Sequence, residues 1–263
     1  MHRYLGTDPA SEIARVRARE PGWFVLADEV ASYTGELIFR LKVPRGNEQL
    51  LLGAVLYRRI AGSFEAVIAL AERGMHTEGL SARRSLLEAL FVLGAIRNQP
   101  ALVQAHLLMD THRRRDIFKN IKKLSPKLKN ALAPKLTSEN VDKTVAELES
   151  AAKGIPHFGP EQYAQAAKLH DTYLTDYSFL SEAAHHVAKD LERNISVDME
   201  GDVDGLYWGP ERDSPSALLF PAIEHALMAV GTTEKMFKLK SLPSFKKLRK
   251  QAQQMFEHIT SAK

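Results

Sequence analysis

Two sets of polar residues recur at four-residue steps and could carry out acid–base chemistry. The first, Arg84 and Glu88, lies in the stretch SARRSLLEALFVLGAI, residues 81–96. The second set follows in a later helical segment and consists of Tyr177, Ser181 and His185. Because residues four apart lie on one side of an α-helix, each set presents its side chains together. The spacing predicts two helix faces that meet in one polar cluster.

Glu88 is the only charged residue between Leu86 and Ile96. A helix that is apolar on all sides is normally buried, and an ionised carboxylate there requires a partner. Arg84 is one turn away, but an Arg that precedes a Glu is the less favourable order for an exposed helix pair. We therefore expect further partners from another helix. The predicted buried network contains Arg84, Glu88, Tyr177, Ser181 and His185.

These five residues are the candidate catalytic residues of the chain. A histidine such as His185 can act as a general base or acid near neutral pH. Arg84 can stabilise charge on a pentacoordinate phosphate, and Glu88 can orient the Arg or the His. The alternative is that the same residues form a satisfied buried network that only fixes the register of the helices.

Metal and cofactor motifs are few. Glu182 and His185 form a Glu-x-x-His pair, but the chain has no second pair, which a di-iron bundle requires. A mononuclear Zn or Mn site with further histidines stays an alternative: His112, His157, His170 and His186. The sequence has no dinucleotide-binding, P-loop or serine-hydrolase motif. We predict no metal and no cofactor.

Helical periodicity covers almost the whole chain, in apolar residues at three- and four-residue steps. The predicted helices span about 10–19, 23–41, 47–71, 77–97, 100–125, 140–152, 162–191 (with a possible break near His170) and 216–237. Residues 194–213 lack this period and are predicted to form an irregular acidic loop or a short hairpin that turns at Asp204-Gly205. The pattern predicts an all-α fold, a single bundle of seven to nine helices. The domain would span 1–240, and 241–263 would be a basic C-terminal tail or helix.

Charge and composition limit the classes of function. The chain has no cysteine, which excludes disulfides and thiolate metal sites, and no apolar run long enough to cross a bilayer. We expect a soluble cytoplasmic protein. Residues 110–135 hold nine Lys/Arg against two Asp, and residues 235–250 hold seven Lys/Arg and no acid. These segments could bind RNA phosphates, or they could be solvated helix faces.

The motifs carry a family resemblance. Arg-x-x-x-Glu in an apolar helix (Arg84 to Glu88), followed by Tyr-x-x-x-Ser-x-x-x-His (Tyr177 to His185), resembles the bacterial domain-of-unknown-function 5677 family over roughly residues 50–240. That family is uncharacterised, so the resemblance implies a helical fold and little chemistry. The fold it implies is distantly similar to the HEPN bundles, several of which are ribonucleases in toxin and phage-defence systems.

HEPN ribonucleases use an Arg that is followed by a His four to six residues later. No Arg in this chain is followed by a His at that spacing, so the analogy puts the Arg and the His on different helices. Two functions from different classes follow. The first is a HEPN-like, metal-independent ribonuclease or RNA-binding effector of a defence system. The second is a non-catalytic helical interaction or scaffold protein, a homodimer or the binder of a protein partner, whose polar cluster is structural.

Overall fold

The chain folds almost entirely into helices, which confirms the predicted all-α class. The computed structural model describes residues 8–125, 127–128, 138–154, 156, 158–184, 195–206 and 213–261. Its helices are α1 (Pro9–Arg17), α2 (Pro21–Arg40), α3 (Glu48–Ala71), α4 (His76–Asn98), α5 (Leu102–Lys122), α6 (Ser138–Ala152), α7 (Pro160–Ala167), α8 (170–184), α9 (Pro215–Met236) and α10 (Pro243–Ser261). Helix α8 consists of His170–Thr172, a π-helical turn at Tyr173–Tyr177, and Ser178–Ala184.

Helix α4 is the central element of the bundle. It packs against α3, α7, α8 and α9. Its side chains are consequently buried on nearly every face, as its apolar composition predicts. Fully buried members include Leu86, Leu87, Leu90, Phe91, Leu93 and Ile96. A polar side chain on α4 therefore meets another helix or the rim of the bundle.

Helices α4 and α7 approach closely where a glycine faces an alanine. A Cβ atom built on Gly94 would lie 2.7 Å from the Cβ of Ala167 and 3.4 Å from its Cα. Neither atom can rotate away, because both belong to the backbone or are fixed to it. The close approach therefore requires glycine at position 94.

We expect Gly94→Ala to lower the free energy of unfolding by about 1–3 kcal/mol, because α7 must shift to make room for the methyl group. The control is Gly62→Ala on the exposed side of α3, where nothing lies within 4 Å of the added Cβ. That change should stabilise the protein by about 0.5–1 kcal/mol through helix propensity alone. Urea unfolding of both variants measures the difference. Equal stability of the two variants would contradict the close packing at Gly94.

Helix boundaries follow local sequence signals, with one exception. Asn47 caps α3, since its side chain accepts a hydrogen bond from the backbone N–H of Leu50 at 2.9 Å. Helix α4 begins at His76, one residue before its predicted start, and no side chain caps it. Lys168, in the left-handed region at φ 62°, ends α7 and separates it from α8. The break predicted near His170 is thus confirmed.

The acidic segment after α8 contains a short hairpin, one of the two predicted alternatives. Strand β1 (Ile195–Val197) pairs antiparallel with β2 (Val203–Leu206). The turn predicted at Asp204-Gly205 is wrong, because both residues belong to β2 and Gly205 pairs with Ser196. The chain reverses instead between Asp198 and Asp202, where Gly201 takes a φ of 89° that favours glycine.

The C-terminal residues form helix α10, which packs on α2 and α9. Its apolar face buries Phe245, Leu248 and Ala252, and its lysines and arginine stay exposed. The division of the chain at residue 240 stays a prediction. Among the described residues, no helix has both the length and the apolar character that crossing a membrane demands.

Candidate functional site

Three of the five predicted site residues meet where α4 packs against α8. The Nε of Arg84 donates to Oε1 of Glu88 at 3.2 Å, and its Nη2 donates to the Tyr177 hydroxyl at 3.1 Å. The Tyr177 hydroxyl donates in turn to Oε1 of Glu88 at 2.8 Å. The guanidinium also lies 5.3 Å from the centre of the Tyr177 ring. The three side chains form a closed polar triangle, as the four-residue spacings predict.

The triangle lies at the rim of the bundle and is only partly buried, whereas the sequence predicted a buried network. The Glu88 side chain is 42% exposed and that of Arg84 is 26% exposed. Glu88 is thus accessible to solvent, although apolar residues surround it in the sequence. Tyr177 is buried, and burial and its hydrogen bond to Glu88 raise the pKa of its hydroxyl. The phenol is therefore neutral at physiological pH and can donate a proton.

The last two predicted residues are not joined to the triangle in the described structure. Ser181 is partly buried on α8, one turn after Tyr177. His185 lies outside the described residues. Its predicted place in the cluster stays a prediction, as does the alternative metal site that includes it.

Residues Tyr173–Tyr177 of α8 form a π-helical turn, and its last residue belongs to the site. Such turns are rare and occur frequently at functional sites, because the extra residue redirects neighbouring side chains. The rings of Tyr173 and Tyr177 stack with centroids 5.1 Å apart, and both contact Phe91 of α4. These aromatic contacts pack the π-helical turn against α4.

The same turn places Asp176 in a second polar cluster, which the sequence analysis missed. The Oδ2 of Asp176 lies 3.1 Å from Nε2 of His225 on α9. Its Oδ1 lies 3.8 Å from Nη2 of Arg83 on α4. Consecutive residues of α8, Asp176 and Tyr177, thus face the consecutive arginines Arg83 and Arg84. We call the two clusters together, on α4, α8 and α9, the helix-junction site.

Burial differs sharply within the second cluster. Arg83 is only 3% exposed and His225 is similarly buried, whereas the Asp176 side chain is 36% exposed. The Nε of Arg83 and the Nδ1 of His225 are buried without a hydrogen-bond partner among the described residues. Burial lowers the pKa of Arg83. Such costs are unusual in a bundle core, and they are typical of residues retained for function.

Asp176 is the residue of this cluster that is most accessible to solvent. The hydrogen bond from His225, and then the charges of Arg83 and His225, hold the pKa of its carboxyl below the usual 3.8, against the opposing effect of burial. The carboxylate is therefore ionised at neutral pH. It is a candidate proton acceptor that a ligand in solution can contact.

The lowered pKa of Asp176 predicts a pH dependence of stability. The folded protein binds this proton less tightly than the unfolded chain, so the stabilisation is present above pH 3.8 and is lost as pH falls through the lower folded pKa. We expect the advantage in Tm of the wild type over Asp176→Asn to be a few degrees at pH 6 and to shrink below pH 4. Thermal unfolding between pH 3 and 7 measures it. A difference that is constant across this range would contradict the charge interaction.

One group of carboxylates among the described residues has spacing suited to a metal ion. Asp198, Glu200 and Asp202 offer oxygen atoms that all lie within 4.8 Å of one another in the hairpin turn. All three are exposed, and Oδ1 of Asp198 already accepts hydrogen bonds from the backbone N–H groups of Glu200 and Asp202. These bonds explain the grouping as a turn motif. The predicted absence of a metal stays a prediction.

The two basic segments differ in how their charges are used. On α5, Lys119 lies 2.6 Å from Glu149 and Lys122 lies 2.5 Å from Asp142, both on α6. These pairs reduce the charge that segment 110–135 offers to RNA. On α10 the side chains of Lys246, Arg249 and Lys250 make no ion pair within the described part of the chain.

Fold and site together define an all-α helical protein with a partly exposed Arg–Asp–Tyr–His junction between three helices. Residues 50–203 match the model of the family of unknown function DUF5677, over more than half of the chain, and the chain belongs to that family. The matched region contains α4 and α8, with Arg83, Arg84, Asp176 and Tyr177, and ends before His225 on α9. No curated protein and no solved structure matches the chain.

Proposed function

We propose that this protein is a metal-independent ribonuclease whose active site is the helix-junction site. One observation carries the proposal. A π-helical turn holds an ionised, solvent-accessible carboxylate, Asp176, and a neutral phenol, Tyr177, beside two consecutive arginines on α4. A proton acceptor, a proton donor and fixed positive charge are the groups that cleavage of a phosphodiester requires.

Each group has a role in the proposed reaction. Asp176 takes the proton of a ribose 2′-hydroxyl, whose oxygen attacks the neighbouring phosphorus. Arg84 stabilises the charge on the pentacoordinate phosphate. The bond from phosphorus to the 5′ oxygen breaks, and the Tyr177 hydroxyl turns from Glu88 to this oxygen and gives it a proton. Solvent returns the proton of Asp176 to the phenolate, so the products are a 2′,3′-cyclic phosphate and a 5′-hydroxyl.

The remaining residues position these groups. His225 and Arg83 hold Asp176 ionised, and Glu88 orients Arg84 and Tyr177 through the contacts described above. Ser181 and His185, the other candidates from the sequence, follow Tyr177 at four-residue steps in the sequence, and we propose that they contact the substrate. The HEPN likeness, the defence role, the cytoplasmic location and a homodimer stay predictions.

The test is digestion of total cellular RNA by the purified protein in EDTA, with Asp176→Asn and His185→Ala beside the wild type. We expect the wild type to release fragments that end in 2′,3′-cyclic phosphate, and Asp176→Asn to lose this activity. Loss in His185→Ala as well would add that residue to the site. Wild-type cleavage that depends entirely on added Mg²⁺, or no cleavage at all, would contradict the proposal.

A second candidate function rests on the burial of the inner cluster. Arg83 and His225 are almost fully buried, which is also what a network that fixes helix register would show. In that case the protein would be a non-catalytic interaction or scaffold protein. Substitutions in the site would then change its stability and leave no RNA-directed activity to lose.

A further inference from the structure

A groove of about 560 Å³ lies between α9 and α10, apart from the helix-junction site. Glu224, which lines it, is the residue before His225 on α9, so the two sites share one helix. Two aromatic and three basic residues also line the groove: Phe220, Phe256, Lys246, Arg249 and Lys250. The groove therefore combines an apolar wall with a cationic rim.

The apolar wall is an aromatic platform. The rings of Phe220 and Phe256 are stacked, with centroids 4.8 Å apart and planes 10° from parallel. Phe256 is 41% exposed. A flat ring of a ligand can stack on such a face, and every nucleobase presents one.

The cationic rim lies on one face of α10. Lys246, Arg249 and Lys250 are three and four residues apart, so their side chains project together. Unlike the lysines of α5, none of them is paired with a carboxylate at ion-pair distance in the part of the chain that is described. Three cations beside an apolar wall attract a phosphate group.

Glu224 adds an acceptor to this basic groove. Burial raises the pKa of its carboxyl, and the charges of Arg249 and His225 oppose that rise. A carboxyl group at this position offers two oxygens in one plane. Adjacent N–H donors on the edge of a base match such a pair, and guanine presents them at N1 and at its 2-amino group.

We propose that the groove between α9 and α10 binds a guanine nucleotide. The base stacks on Phe256, its N1–H and 2-amino groups donate to Glu224, and its phosphate contacts Lys246, Arg249 and Lys250. This inference deepens the proposed function, on which it rests, because it names the part of an RNA that a second surface holds. A free nucleotide would offer the same chemistry.

The test is calorimetric titration of the full chain with GMP, UMP and ribose 5-phosphate. We expect GMP to bind about tenfold more tightly than ribose 5-phosphate, which lacks the base that stacks. Phe256→Ala should abolish this preference, and Lys246→Ala should weaken GMP binding severalfold. Lys247→Ala is the matched control, because it removes the same charge from the same helix but does not line the groove.

The variants also separate the parts of the inference. Glu224→Gln should lower the preference for GMP over UMP, and circular dichroism shows whether each variant is folded. Equal binding of GMP and ribose 5-phosphate, or equal effects of Lys246→Ala and Lys247→Ala, would overturn the nucleotide site. Equal binding of GMP and UMP to the wild type would overturn the role of Glu224.

Two further measurements show whether the ligand is RNA or a free nucleotide, and whether GMP binding depends on ribonuclease activity. A G-containing single-stranded RNA octamer that binds far more tightly than GMP, and competes with it, would identify RNA as the ligand. Equal affinities would identify a free nucleotide. GMP binding is measured without turnover, so the groove can fail while cleavage in EDTA persists, and it can bind GMP in a protein that cleaves no RNA.

Discussion

Asp176→Asn should lower the rate of RNA cleavage in EDTA by about 10²–10⁴-fold, the usual contribution of a positioned acid–base group. The asparagine amide has almost the same shape and can still accept a hydrogen bond from His225, but it cannot take a proton from a 2′-hydroxyl. The loss should appear in kcat, with little change in KM. A fluorogenic oligoribonucleotide with a single cleavable linkage measures both constants.

Asp171→Asn is the matched control for this substitution. Asp171 is exposed on the same helix, five residues before Asp176. The change removes the same charge and should leave both constants unaltered. Equal losses in the two variants would mean that net charge governs binding, and unaltered cleavage in both would exclude Asp176 from the reaction.

Four-residue spacing was enough to predict the outer half of the site. Arg84 and Glu88 lie on a regular part of α4, so simple helix geometry places them together. Tyr177 meets them because it borders the apolar stripe of α8, which has to face α4. Burial was harder to predict, because periodicity within α4 does not reveal how much of position 88 a neighbouring helix covers, and the Glu88 side chain is 42% exposed.

The inner half of the site depends on features that one sequence does not reveal. The π-helical turn adds a residue to one turn of α8 and so brings Asp176 toward α4 and α9. One signal was available. Arg83 lies between Leu80 and Leu87 on the apolar stripe of α4, and His225 lies between Ala222 and Ala229 on that of α9.

Fold prediction succeeded and failed for related reasons. Periodicity gave the all-α class because each long helix buries one continuous apolar face. The hairpin turn was placed wrongly because Asp-Gly is a strong turn signal at positions 204–205, and a second acidic glycine segment, 198–202, competes with it. Backbone hydrogen bonds to Asp198 favour the second site.

Arg83→Met should raise the free energy of unfolding by about 1 kcal/mol, because Asp176 is 36% exposed and is not left as a buried unpaired charge. Arg83 is 3% exposed, its nearest contact with Asp176 is a long 3.8 Å, and its Nε has no partner among the described residues. The cost of desolvating the guanidinium therefore exceeds what this pair returns, as the lowered pKa of Arg83 indicates. Methionine fills a similar volume without that cost.

The same substitution should reduce RNA cleavage, because Asp176 loses one of the two charges that keep it ionised and in place. Greater stability with lower activity is the expected mark of a residue retained for function at the expense of the fold. Urea unfolding and the oligoribonucleotide assay measure the two effects. The control is Arg58→Met on the exposed face of α3, which should change the free energy of unfolding by less than about 0.5 kcal/mol. If Arg83→Met is instead less stable and the protein cleaves no RNA, the inner cluster is a structural network, and the scaffold function replaces the ribonuclease.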